Sequence, residues 1–234
     1  MFKFVLPALM VFATCPAFAA DAVTEAMQKA YAPYRVALFK TNMNAQAESQ
    51  QALTQAQQAW GQVAARFGAK PPAPYDRDPA FANSLAEVDK AYAQAAQEIA
   101  KNQLSSAHET LERVRDILSA LRQRNQVIVY SDHMNAYHSE MEHVLTHGPK
   151  LLAEPNGLLQ LSLQVGVLEY LARRLRTEAP AEYANNPEFS GLVQAVEGSV
   201  AALKSAVLAQ NPSAVKAALG KIKPTYSKLF LKFG

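Results

Sequence analysis

Between Ser105 and His147 the chain has neither proline nor glycine. An uninterrupted run of that length, rich in alanine, glutamine, leucine and glutamate, has few stable options other than helix. The same logic divides the rest of the chain, because most of the 13 prolines and nine glycines fall between helix-periodic stretches. Helix is therefore predicted from about Val23 to Phe67, with a kink or break at Pro33. A Pro-rich loop follows over Gly68 to Pro79, then a second helix over about Ala80 to Lys101 and a turn at Asn102-Gln103. Ser105 or Ser106 is the expected N-cap of the next segment, with Glu109 placed as the reciprocal partner of Ser106 in a capping box. That segment reads either as one very long helix to His147 or as two that meet near Asn125. Gly148 to Gly157 reads as a loop, followed by helices over about Leu158 to Glu178, Pro187 to Ala209 and Pro212 to Leu231. The fold class is all-α.

The chain repeats itself. Tyr75-Asp-Arg-Asp-Pro79-Ala-Phe81 parallels Tyr183-Ala-Asn-Asn-Pro187-Glu-Phe189 at a spacing of 108. Leu85, Val88, Leu111, Val114 and Leu121 then fall on Val193, Val196, Leu219, Ile222 and Leu229. A second match, Phe39 to Ala45 on Tyr130 to Ala136, has a spacing of 91 and pairs Met43 with Met134. Tandem duplication is the simplest reading. It implies helical units at 20–125 and 126–234, packed as an elongated or double bundle, with extra length in the later unit.

Residues 1–19 carry the marks of a secretory signal peptide: Lys3, the apolar run Phe4 to Ala13, and Ala17-Phe18-Ala19 at the cleavage site. The expected location is the periplasm, with no membrane insertion after cleavage. Cys15 is the only cysteine; it lies in this segment, so a disulfide, a thiolate site and CxxCH haem attachment are not expected. The formal net charge of +3 is small, and its basic residues recur at helical spacing, so nucleic acid is not an expected partner. There is no G-x-S-x-G, P-loop or GxGxxG, and no enzyme is expected.

Four of the five histidines lie between His133 and His147. On a helix this stretch sorts into two faces. Met134, His138 and Met141 stand at i, i+4 and i+7 on an apolar stripe. Thioether and imidazole together suit copper, especially Cu(I). At the spacing of 91 these positions correspond to Met43, Ala47 and Gln50, so His138 and Met141 are read as additions to a shared scaffold, and Met43 as a contributor across the interface. Glu140, His143 and His147 form a second face, at i, i+3 and i+7, that would suit zinc, Cu²⁺ or iron. Ordinary core packing and a solvated polar face are the competing readings of the two sets.

On Asn42-Met43, His133-Met134, the Pro-x-Phe helix entries and the short turn at Asn102-Gln103, each unit resembles the soluble periplasmic b-type cytochromes, which are four-helix bundles. That resemblance implies haem held by a methionine on the first helix and a histidine near the end of the last. The histidine position falls near Arg122 and Phe230, neither of which can ligate iron. Three readings follow: a periplasmic transition-metal binder with copper favoured, a metal-free interaction or scaffold module with a periplasmic protein partner, and a b-type haem protein. The third would use Met134 or Met43 with His138 or His108.

Overall fold

The protein was analysed as a computed structural model that describes residues 21–234; the expected signal peptide lies outside them. The described residues contain nine α-helices and a 3₁₀ turn, Tyr75–Arg77, and no strand. The helices are α1 (Ala22–Asn42), α2 (Gln46–Phe67), α3 (Phe81–Ala100), α4 (Leu104–Arg124), α5 (Tyr130–Leu151), α6 (Gly157–Thr177), α7 (Ala181–Ala184), α8 (Pro187–Leu208) and α9 (Pro212–Phe233). The all-α expectation holds.

Several boundaries differ from those expected. The first segment breaks at Met43–Ala45, while Pro33 is accommodated inside α1. Asn44 adopts φ 54°, and the Ala45 N–H bonds back to the Lys40 carbonyl at 3.0 Å, closing α1 in a Schellman turn. Asparagine tolerates this left-handed conformation because its short side chain hydrogen-bonds locally. The long central segment is two helices, parted at Asn125–Val129. The next helix starts at Leu104, capped by Gln103 without a side-chain bond, so Ser106 and Glu109 form no capping box. Helix α5 runs through Gly148 and Pro149 to Leu151, which shortens the expected loop.

Helix α1 packs on α2 and α4, and α3 on α2 and α4. Helices α5, α6, α8 and α9 repeat that cycle, with α7 against α8. With short connections, each set is an up-and-down four-helix arrangement. The two sets touch where α1 meets α9 and where side chains of α4 reach α5. Within each, leucine, valine and tyrosine side chains at helical spacing point inward, including Trp60, Tyr34, Tyr92, Tyr137 and Tyr226. Helix α8 is long and apolar enough to cross a membrane by length and composition alone. In the fold its Phe189, Val193, Val196, Val200 and Leu203 are buried.

The burial pattern corrects the pairing of Met43 with Met134. Buried Val23, Met27, Ala30, Tyr34, Ala37 and Thr41 of α1 match buried Tyr130, Met134, Tyr137, Met141, Val144 and Gly148 of α5, at a spacing of 107. Met43 instead follows the end of α1 and is 60% exposed, whereas Met134 is fully buried near the start of α5. Short motif matches between alanine-rich helices slide easily; a buried face fixes register, because a shift of one residue rotates the helix by about 100°.

Candidate metal centre

Helix α4 presents His108, Glu112 and Arg115 at i, i+4 and i+7, and α5 presents His138, Met141 and Glu142 at i, i+3 and i+4. The α4–α5 connection folds the chain back on itself, so these two faces meet at the junction of the two bundles. Arg122, buried near the end of α4, fixes that junction. Its Nε donates to Asp132 Oδ2 at 2.9 Å, and Asp132 Oδ2 also accepts from the Val129 N–H at 3.1 Å.

At the meeting point one carboxylate oxygen, Glu112 Oε1, lies 3.7 Å from His108 Nε2 and 3.6 Å from His138 Nε2. His138 Nε2 is also 3.7 Å from Glu142 Oε1. These separations are too long for hydrogen bonds. His108 Nδ1 lies 3.0 Å from the Leu38 carbonyl, which can only accept; Nδ1 therefore carries the proton and Nε2 offers its lone pair towards Glu112. Two cations border the group: Arg115 Nη2 lies 3.1 Å from Glu112 Oε1 and Lys223 Nζ 2.9 Å from Glu142 Oε1. Glu142 Oε1 is buried and makes no well-directed hydrogen bond, the Lys223 contact being a matter of distance only.

Burial drives the His138 imidazole down to about 3, with Arg115, Lys223 and His108 pushing the same way. Burial also lowers His108, against the opposing pull of Glu112. Both rings are thus neutral at physiological pH, the form that binds a metal. A cavity of about 30 Å³ lies beside them, bordered by His108, Glu112, His138, Met141, Lys223 and Tyr226. That is room for a single water or ion.

Of the residues singled out in the sequence, His138 and Met141 border this cavity. Met134 is buried in the bundle, its carbonyl accepting from the Tyr226 hydroxyl at 3.0 Å, and does not border the cavity. Met43 is an exposed side chain at the end of α1, next in sequence to Asn42, which borders the cavity. His143 and His147 are exposed neighbours with ring centroids 4.3 Å apart, and His147 Nδ1 lies 2.9 Å from the His143 carbonyl. Glu140 makes no ion pair or hydrogen bond among the described residues; burial raises its carboxyl while His143 pulls it down. The positions that the resemblance gives to a haem histidine hold Arg122, engaged with Asp132, and the buried Phe230.

Glu112 and Glu142 were not recognised from the sequence, and His108 was weighed there only as a haem ligand. The signal was there: His108-x-x-x-Glu112 and His138-x-x-x-Glu142 are the same i, i+4 pair on two successive helices. Among the described residues, no three His, Cys, Asp or Glu side chains already converge on one point as an ion would require, so closure on a metal requires side-chain rotation. No family model, no curated protein and no solved structure matches the chain.

Proposed function

We propose that the protein binds a divalent transition-metal ion between α4 and α5, held by His108, Glu112, His138 and Glu142. The observation that supports this most is the set of donor separations, 3.6–3.7 Å. Nitrogen and oxygen ligands bonded to one ion at zinc-like distances stand about 3.4–3.6 Å apart for tetrahedral to trigonal angles. Neutral imidazoles supply lone pairs, and two glutamates balance a double positive charge.

Two imidazoles with two carboxylates suit Zn²⁺, Cu²⁺ or Fe²⁺. The Cu(I) reading on Met134, His138 and Met141 has weaker support: Met134 does not border the cavity, and although Glu142 does not either, its Oε1 lies 3.7 Å from His138 Nε2. Binding must part Glu142 from Lys223 and loosen Glu112 from Arg115. Lys223 is 40% exposed and can swing into water, whereas Arg115 is buried and stays beside the site. A site assembled from two helices, with each glutamate also paired to a cation, fits capture and release of an ion.

The test is titration of the protein with Zn²⁺, Cu²⁺ and Fe²⁺ by calorimetry, with metal content measured after dialysis and a visible spectrum recorded. One bound ion per chain is expected, lost or weakened at least tenfold in His138→Ala and Glu112→Gln and retained in His143→Ala/His147→Ala. Binding that survives His138→Ala but fails in the double variant moves the site to the surface pair. A Soret band in the isolated protein replaces this reading with haem.

A further inference from the structure

Helix α6 carries a large apolar face that nothing among the described residues covers. Leu159, Leu163, Val167 and Tyr170 stand at i, i+4, i+8 and i+11, one above the other on its outer side. They are 65%, 69%, 48% and 54% exposed. The inner side of α6, through Leu161, Val165, Leu168, Ala172 and Leu175, already fills the bundle.

The first bundle provides an internal comparison. Its equivalent helix, α2, buries Ser49, Leu53, Trp60 and Phe67 where α6 buries Gly157, Leu161, Leu168 and Leu175, a spacing of 108. At that spacing the outer stripe falls on Gln51, Gln55, Ala59 and Gln62, exposed except for the half-buried Ala59. The bundle architecture therefore does not require apolar side chains on this face; α6 has them for another reason. Contiguous exposed apolar side chains of this kind mark interaction surfaces.

The charges at the two ends of the stripe point to its occupant. Glu154 lies exposed just before α6, and Arg173 lies exposed near its end, neither side chain in an ion pair or hydrogen bond among the described residues. A second copy of α6 laid antiparallel, about a two-fold axis near residue 165, brings Leu163 of each copy against Val167 of the other. It also brings Glu154 of each to within about one helical turn of Arg173 of the other along the axis, twice over. A parallel arrangement would bring like charges together. Gly166 lies next to the axis, and a Cβ there would meet nothing in its own chain, so the two helices can approach closely.

We infer that the protein forms a two-fold dimer through antiparallel α6 helices. This goes beyond metal binding and does not depend on it. The stripe is roughly 17 Å long at 1.5 Å per residue, which places the interface near the small end of specific contacts and makes the dimer concentration-dependent. Sedimentation of the full chain is expected to show a reversible monomer–dimer equilibrium. Leu163→Asp or Val167→Asp should give monomer at every concentration, with helicity and melting temperature kept because both positions are exposed. Glu154→Arg and Arg173→Glu should each weaken dimerisation several-fold, and the two together in one chain should restore it. A wild-type chain that remains monomeric up to its solubility limit overturns the inference. So does a monomer that sediments with phosphatidylcholine–phosphatidylglycerol vesicles through Leu163, since a lipid surface would then be what covers the face. A dimer that the Asp variants leave intact places the interface elsewhere and equally overturns it.

Discussion

Asp78 shows how much one side chain can organise. It sits in the loop before α3, where Oδ1 accepts from the Ala80 N–H at 2.9 Å. Its Oδ2 accepts from Asn125 Nδ2 at 2.9 Å and from Arg124 Nη2 at 3.1 Å, so the loop is tied to the end of α4. Burial alone would raise its carboxyl, but the bonds from Asn125, Ala80 and Arg124 outweigh it, and the net effect is a carboxyl held below its usual range. A depressed carboxylate adds stability above its unfolded value, near pH 4, and loses it as pH falls through the folded value. Asp78→Asn keeps the shape and removes the charge. It should cost about 2 kcal/mol at pH 7, measured by urea unfolding, and the gap to wild type should narrow steadily below about pH 4. A gap that is unchanged at pH 3 would sink this account. None of it was legible beforehand: the sequence marks 68–79 as a loop, but which polar side chain clasps a loop depends on which helix end folds back over it. The same limit applied at the proposed metal site. His138 was singled out, His108 only as a haem ligand and Glu112 not at all, because the choice among polar residues on α4 depends on how that helix faces α5.

The four helix ends that carry a left-handed residue were read well at Asn102 and Gln210, in part at Gln126, and missed at Asn44. Four helices close the same way. The N–H groups of Ala45, Gln103, Val127 and Asn211 bond back to the carbonyls of Lys40, Glu98, Arg122 and Ala206 at 2.8–3.2 Å. The residue before each donor, Asn44, Asn102, Gln126 and Gln210, has φ between 52° and 56°. The break at Asn102 was expected, and the one near Asn125 was one of two readings. The break at Asn44 was missed because Pro33 drew attention to the wrong place, although an interior proline forfeits only one backbone bond if the helix bends slightly around it. Asparagine is at home in this conformation and glutamine is not, so Gln126 and Gln210 hold avoidable strain. Gln126→Gly and Gln210→Gly should each stabilise the fold by about 0.5–1 kcal/mol, less than the raw left-handed penalty because glycine also gains freedom when unfolded. For a chain of this size that is a rise of about 1–4 °C in melting temperature. Asn44→Gly should change it by less. Equal effects at all three positions would show that the glutamine side chains are not strained.

Fold class follows from composition and breakers; the helix count does not, since the break at Asn44 and the short α7 were not expected. How two bundles meet does not follow either, because periodicity says which face of a helix is buried and never against what. That gap is where the proposed metal site lies. Its four ligands sit on α4 and α5, one from each bundle, so an ion bound there ties the two halves together across the junction already held by Arg122 and Asp132. A metal that binds only the folded chain stabilises it in proportion to the logarithm of its excess over Kd, about 2.7 kcal/mol at a hundredfold excess. For this chain length that predicts a rise of about 5–10 °C in melting temperature on loading, reversed by a chelator. If the bundles unfold together, one transition moves as a whole. If they unfold separately, loading should merge two transitions towards one, since neither half can leave without releasing the ion. His138→Ala and Glu112→Gln lie on opposite sides of the junction and should abolish the shift equally. His143→Ala/His147→Ala, confined to one helix surface, should leave it intact. A shift that His138→Ala removes but Glu112→Gln retains would mean the ion belongs to α5 alone. The melting behaviour of these variants with and without metal therefore reports directly on whether both bundles hold it.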